Sequence, residues 1–384
     1  MRFFLPVFIC LLLAGCGSAS VPGEGALSTS AEVWLPLTET SPEVTAPETQ
    51  PVDPIRQMIS DMSLEQRVGQ LFLARCNRST AVQDIARYHL GGLVLFAEDF
   101  EDQTPDTMRQ IIADYQNAAE KPLLIAVDEE GGDVTRISRF PAFRDKRFSS
   151  PRQCYAEGGL EAVLAETEEK CRLLSDLGIN VNLGPVCDIT TEPEAFLYSR
   201  SLGQDAQTTA EVVASTVNLM NAFSVGSVLK HFPGYGNNAD THSGIAVDSR
   251  SLTELEELDL VPFCAGIQAG CGAVMIGHIL MEAFDPESPA SLSPAVHQYL
   301  RQTLMFTGVI MTDDLVMQAI TDQYGAGEAA VLAVLAGNDL LCSTEYALQY
   351  DAVLAAVLDG RIDIDVLNNA VRHVLQWKQS LGLF

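Results

Sequence analysis

The sequence predicts an α/β protein built as a single (β/α)8 barrel of the TIM type. Three observations carry that prediction. From residue 54 onward, short runs rich in Val, Ile and Leu alternate with longer segments of helical periodicity, and there are eight such runs. Polar residues gather at the C-terminal ends of five of them, where a barrel of this kind presents its catalytic groups. No Gly-x-Gly-x-x-Gly follows a strand, so the alternative, a doubly wound open sheet, lacks its phosphate-binding fingerprint.

The elements follow in order. Ser63-Leu64-Glu65-Gln66 has the spacing of a capping box and opens a short helix. Strands are expected within 68–75, 91–97, 122–130, 179–189, 226–232, 271–279, 308–315 and 338–343. Helices are expected at 156–176, 206–223, 253–269, 293–304 and 326–336, and 361–380 closes the chain. Strand 3 ends in Asp128-Glu129-Glu130-Gly131-Gly132 and strand 4 near Asp188. Strand 5 ends in Lys230-His231, strand 6 in His278 and strand 7 in Thr312-Asp313-Asp314. Polar groups at the end of an apolar strand are costly unless they serve each other or a ligand.

The barrel is expected to span 54–384, preceded by two other segments. Arg2 precedes the apolar run Phe3 to Leu13, which is too short to cross a bilayer as a mature helix and ends in small residues. Residues 1–15 thus read as a signal peptide. Leu13-Ala14-Gly15-Cys16 resembles a bacterial lipobox, which implies cleavage before Cys16 and lipidation of its thiol. An ordinary signal peptide is the alternative. Residues 17–53 are rich in Ser, Thr, Pro and Glu and hold no Lys or Arg, a composition that cannot bury enough surface to fold. Segment 16–53 therefore reads as a lipidated Cys and a disordered linker. The implied location is extracytoplasmic, on the bacterial cell membrane.

The chain has 384 residues, 47% of them apolar, which is enough for a sizeable core. A formal net charge of -28 argues against nucleic acid as a charge-driven partner. Of nine cysteines, Cys10 falls in the signal and Cys16 at the lipidation point. The other seven lie mostly in apolar runs without any Cys-x-x-Cys, which reads as buried free thiols.

The polar strand ends allow glycoside hydrolysis, which needs a carboxylate nucleophile and a proton donor across the scissile bond. Asp313 and Asp314 are adjacent on a strand, so only one of them can face the barrel mouth. In Asp240-Thr241-His242 the carboxylate can hold one imidazole nitrogen and leave the other free for proton transfer. A metal site drawn from Asp128, His231, Asp240, His242, His278 and Asp313 is the alternative, and Lys230 would oppose a cation there.

Here the sequence resembles glycoside hydrolase family 3, in its β-N-acetylglucosaminidase branch. AVDEEGGDVTR (126–136) resembles the family's V-D-Q-E-G-G-x-V-x-R, and KHFPGYG (230–236) its K-H-F-P-G-H-G. GINVNLGPVCDI, SRSLGQD, Asp240-Thr241-His242, PASLSP, VIMTDDLVM and AGNDLLC continue the likeness in order. The resemblance implies Asp313 as nucleophile, His242 as general acid/base and Asp240 as its orienting partner. It implies sugar binding by Asp128, Arg136, Arg200, Lys230 and His231. The implied reaction removes a terminal β-linked N-acetylglucosamine with retention through a covalent glycosyl-Asp313 intermediate, in many members from peptidoglycan fragments. No metal or organic cofactor is implied, and the chain is expected to act as a monomer on a carbohydrate substrate.

The departures from the family pattern are local. Tyr235 stands where the family has its second loop His, and Asn237-Asn238 replace an Asp-Thr. The loop is one residue shorter before Asp240. Glu129 stands in place of a Gln and Asp133 in place of a frequent Arg. Other readings are a β-glucosidase or β-xylosidase of the same family, a phosphorylase, and a sugar-binding surface lipoprotein without catalysis.

Overall fold

A computed structural model of the chain describes residues 53–241 and 244–384. The expected signal peptide, Cys16 and nearly all of the linker lie outside the described residues.

Each of the eight apolar runs contains one barrel strand. These are β1 (Phe72–Arg75), β2 (Gly92–Leu95), β3 (Leu124–Val127), β4 (Val181–Asn182), β5 (Gly226–Phe232), β6 (Ala273–Ile276), β7 (Val309–Thr312) and β8 (Leu341–Ser343). They form one parallel sheet in which β8 pairs with β1 and the rest follow in chain order. A parallel bridge from Met311 to Leu340 joins the two edges and closes the barrel. Closure removes the exposed edges that an open sheet would leave.

The side chains alternate as the pleat requires. Leu73, Val94, Leu124, Ala126, Ala273, Met275, Val309 and Met311 share one buried cluster, the barrel interior. Their neighbours Phe72, Ala74, Leu93, Leu95, Ile125 and Val127 fall in a second cluster, against the outer helices. Val374 and Trp377, from the last helix Ile364–Ser380, join the interior cluster. A Cβ at Gly226 or Gly272 would meet the Trp377 indole, so these strand entries need glycine. The indole therefore closes the N-terminal end and leaves the opposite end open for a site.

The capping box is present, with Ser63 and Gln66 bracketing the helix Leu64–Gly69. The helix expected at 156–176 is longer, Pro151–Leu177, and is interrupted at Gly158 and Gly159, where Gly159 has φ 62°. The segment expected as one helix at 253–269 is two, Leu252–Glu257 and Leu260–Gln268. Asp259 lies between them, buried and paired with Arg250. The seven cysteines among the described residues are free thiols, and six are buried.

Candidate active site

The C-terminal ends of the strands line an open cavity of about 760 Å³. Asp128, Arg136, Arg200, Lys230, His231 and Asp313 all face it. These are six of the eight residues that the sequence pointed to, brought from β3, β5, β7 and the loops that follow β3 and β4.

Lys230 organises the floor. Its Nζ donates to Asp128 Oδ1 at 2.5 Å and lies 2.6 Å from Glu130 Oε1. Burial by itself would drive the ammonium to its neutral form. Asp128 and Glu130 outweigh that and hold its pKa above the ordinary lysine value. Glu130 in turn accepts two bonds from Arg200, at 2.9 and 2.6 Å. Burial disfavours its charge too, yet Arg200 and Lys230 keep it well below the usual carboxylate range. Asp128 also faces Arg136, at 3.7 Å. The result is a fixed fan of charged donors and acceptors, which suits the hydroxyls of a sugar.

His231 is held by Asp188, whose Oδ2 accepts from both its backbone N and its Nδ1 at 2.8 Å. Arg200 can only donate, so His231 Nε2, 3.3 Å away, accepts from it. Lys230 and His231 are consecutive, yet both line the cavity. The pairing of β5 with β6 shifts register between Leu229 and Phe232, and the Lys230–His231 peptide bond is cis.

The two aspartates after β7 take different roles. Asp313 lies in the cavity wall, and its Oδ1 accepts from the Asp314 amide at 2.8 Å. Burial raises its pKa, but His278, His231, that amide and Lys230 together hold it below the ordinary value. Asp313 is therefore an ionised carboxylate at neutral pH. Asp314 borders the cavity as well, against the expectation that only one of the pair would face the barrel mouth, but its carboxylate is taken up toward β8, accepting from the Val316 and Thr344 amides at 3.2 and 3.1 Å and from Thr344 Oγ1 at 2.5 Å. Burial raises its pKa, with Thr344 opposing. His278, fully buried, donates from Nε2 to the Asp314 carbonyl at 3.0 Å and shares a hydrogen bond at Nδ1 with Ser291 Oγ at 2.7 Å. Nε2 thus holds the backbone carbonyl next to Asp313, and Nδ1 is held by Ser291.

The loop after β5 is tied down at several points. Asn237 Oδ1 accepts from the Thr191 and Glu192 amides, and Asn238 donates to Asp248 at 2.8 Å. Arg250 bridges Asp248 and Asp259 beneath it. Asp240 and Thr241 are described, whereas His242 lies outside the described residues.

The residues that sequence reasoning left unassigned are Glu130, Asp188 and His278. Glu130 stood in the Asp-Glu-Glu run, where a third consecutive acid next to two glycines was the available signal. Glu129, the substitution for Gln, turns inward. It is fully buried and accepts from the Arg136, Ile137 and Ser138 amides and from Ser138 Oγ. A carboxylate suits four donors because both of its oxygens accept, whereas Gln offers one.

A family description, "Glycosyl hydrolase family 3 N terminal domain", matches residues 63–377. The chain belongs to glycosyl hydrolase family 3. It is similar to a protein of Stenotrophomonas maltophilia (strain R551-3) named "Beta-hexosaminidase", 37% identical over 305 residues, covering 76% of this chain and 86% of the relative. It is also similar in structure to the family 3 β-N-acetylglucosaminidase of Paenibacillus sp. str. FPU-7, with a TM-score of 0.78 and 34% identity. That match covers 84% of this chain but 63% of the Paenibacillus chain. The β-N-acetylhexosaminidase of Beutenbergia cavernae DSM 12333 matches with a TM-score of 0.73 and 29% identity, covering 83% of this chain and 99% of that one. In this family 3 chain the barrel and the matched region coincide, so the cavity belongs to the part of the fold that the relatives share.

Proposed function

We propose that this family 3 chain is a retaining exo-acting β-N-acetylhexosaminidase that removes terminal β-linked N-acetylglucosamine. The observation that carries it is the placement of Asp313. This carboxylate lines the cavity, is held ionised, and faces the Lys230–Asp128–Glu130–Arg200 fan that suits a sugar ring. The names of the Stenotrophomonas and Beutenbergia relatives support the same sugar class.

The reaction then runs in two displacements. Asp313 attacks the anomeric carbon from below as the glycosidic bond breaks, and His242 gives its proton to the leaving oxygen. Asp240 holds the imidazolium that donates it. Water then gives a proton back to His242 and attacks the anomeric carbon, breaking the ester to Asp313. Two inversions leave the β-configuration unchanged. Asp128, Arg136, Arg200, Lys230 and His231 bind the sugar throughout.

The reading extends to location. The Leu13-Ala14-Gly15-Cys16 motif and the Ser/Thr/Pro/Glu-rich spacer support a lipid-anchored, extracytoplasmic enzyme, in reach of peptidoglycan fragments. Radiolabelled palmitate carried by the wild-type chain and lost in Cys16→Ala would support the anchor.

The activity is tested with a panel of chromogenic β-glycosides of N-acetylglucosamine, glucose and xylose. The N-acetylglucosaminide should be turned over fastest, and Asp313→Ala should abolish that turnover. Full activity in Asp313→Ala refutes the nucleophile assignment. Preference for glucose or xylose refutes the substrate class.

A further inference from the structure

We propose that the Tyr235 phenol is a positioning group for the Asp240–Thr241–His242 segment, tying it to the sugar-binding platform. The inference rests on the reading of His242 as acid/base.

Tyr235 is itself fixed from several sides. Its backbone N donates to Asp188 Oδ1 at 2.7 Å, while the other oxygen of that carboxylate holds His231. Its ring is 2% exposed and meets the His231 ring edge-on at 5.7 Å and Phe196 at 5.8 Å. From this seat the phenol reaches six residues down the chain. It accepts from the Thr241 amide at 3.0 Å and shares a 2.5 Å hydrogen bond with Thr241 Oγ1. Thr241 is fully buried, so both bonds are made away from water, where losing one is costly.

Thr241 is the residue between Asp240 and His242. Asp188 therefore aligns His231 directly and reaches Thr241 through Tyr235. The same carboxylate that orients a proposed sugar ligand thus also fixes Thr241, the chain neighbour of the proposed proton donor. The surrounding turn is held by its own side chains. Asn237 grips Thr191 and Glu192, and Asn238 Nδ2 donates to the Tyr235 carbonyl at 3.0 Å and to Asp248. Burial raises the Tyr235 pKa to about 12, with the Thr241 bonds opposing and Asp313 and Asp240 adding to it. The anchor is thus neutral at every pH at which the enzyme would work, and it does not titrate alongside the acid/base it positions.

Proton transfer depends steeply on placement, and an error of about 1 Å can cost roughly 100-fold. Tyr235→Phe keeps the ring packing and removes both bonds to Thr241. On aryl β-N-acetylglucosaminides we expect kcat/KM to fall about 10- to 100-fold for a poor phenol leaving group. For a strongly acidic phenol, which departs without protonation, the loss should stay within about threefold. KM should change little for either. His242→Ala, run alongside, should show the same selectivity more strongly.

If His242→Ala is selective and Tyr235→Phe loses equally on both substrates, or loses through KM, the positioning role is overturned and the acid/base reading stands. If His242→Ala is itself unselective, the acid/base reading fails and the inference falls with it. Should Tyr235→Phe fail to fold, Thr241→Val carries the test. It removes the shared hydroxyl bond, keeps the amide, and should show a smaller loss of the same selective kind. An unselective loss in that variant also overturns the proposal.

Discussion

Glu130→Gln tests the charged floor of the cavity. Glu130 is 6% exposed and is the acid shared by two cations, Lys230 and Arg200. The amide keeps the volume but removes the negative charge. Lys230 retains Asp128 at 2.5 Å, while Arg200 is left with its 3.3 Å contact to His231. Breaking a buried pair by neutralising one member costs roughly 3–5 kcal/mol, and the surviving Asp128 contact favours the lower end. At about 3 kcal/mol, Tm should fall by roughly 5–10 °C for a domain of this length. The deficit carries a pH signature. The folded pKa of Glu130 is lowered, so its contribution is complete above the unfolded value of about 4.3 and is lost as pH falls toward the folded value. The gap between wild type and variant should therefore be full at pH 7 and shrink below about pH 4. KM for the N-acetylglucosaminide should rise about tenfold, equivalent to about 1.4 kcal/mol, because Lys230 and Arg200 lose their common anchor. Thermal melts from pH 3 to 8 and steady-state kinetics at pH 7 measure both effects. A Tm within about 1 °C of wild type together with an unchanged KM would refute the floor as described.

Two further substitutions probe other parts of the molecule. Asp313→Ala should be rescued by azide, which occupies the vacated position and attacks the anomeric carbon. Asp314→Ala, which leaves the Thr344 and Val316 amides without their acceptor, should lose about 2 kcal/mol of stability and show no azide rescue. Rescue of both, or of Asp314→Ala alone, would contradict the division of roles. At the closed end of the barrel, Lys378 is fully buried with Gln70 as its hydrogen-bond acceptor, and burial lowers its pKa to about 7. A depressed lysine destabilises the fold at low pH and is relieved as pH rises from the folded value toward the unfolded one. Lys378→Met should therefore raise Tm at pH 6, and this advantage should shrink by about 3 kcal/mol by pH 9. An advantage that is flat or grows with pH would contradict this.

Much of the fold was legible because its signals are local. Each apolar run reports a strand through nearest-neighbour chemistry, and Ser63-Leu64-Glu65-Gln66 reports a helix start within one turn. The interruption at Gly158 and Gly159 was also written in the chain, as two adjacent glycines, but helical periodicity on either side masked it. The candidate site was legible as residue types at strand ends. Asp128, Lys230, His231 and Asp313 each follow a hydrophobic run, and a polar residue there stands out without knowledge of its partner.

What the chain could not reveal by itself was the pairing. Asp188 and His231 are 43 residues apart, Glu130 and Arg200 are 70 apart, and Lys230 and Asp128 are 102 apart. Many carboxylates and cations could have matched at such separations. The choice depends on the strand pairing and curvature of the barrel, which bring the ends of β3, β4 and β5 together around one cavity. The same holds for Asp313 and Asp314. Both residues border the cavity, but only the position of β8 and Thr344 decides which carboxylate is taken up by the protein's own donors. Tyr235 is the clearest case. In the sequence it is a departure from a family pattern, and in the fold it is a buried link from Asp188 to Thr241. Strands and polar ends follow from neighbours along the chain. Partners follow from the distances that only a closed barrel sets.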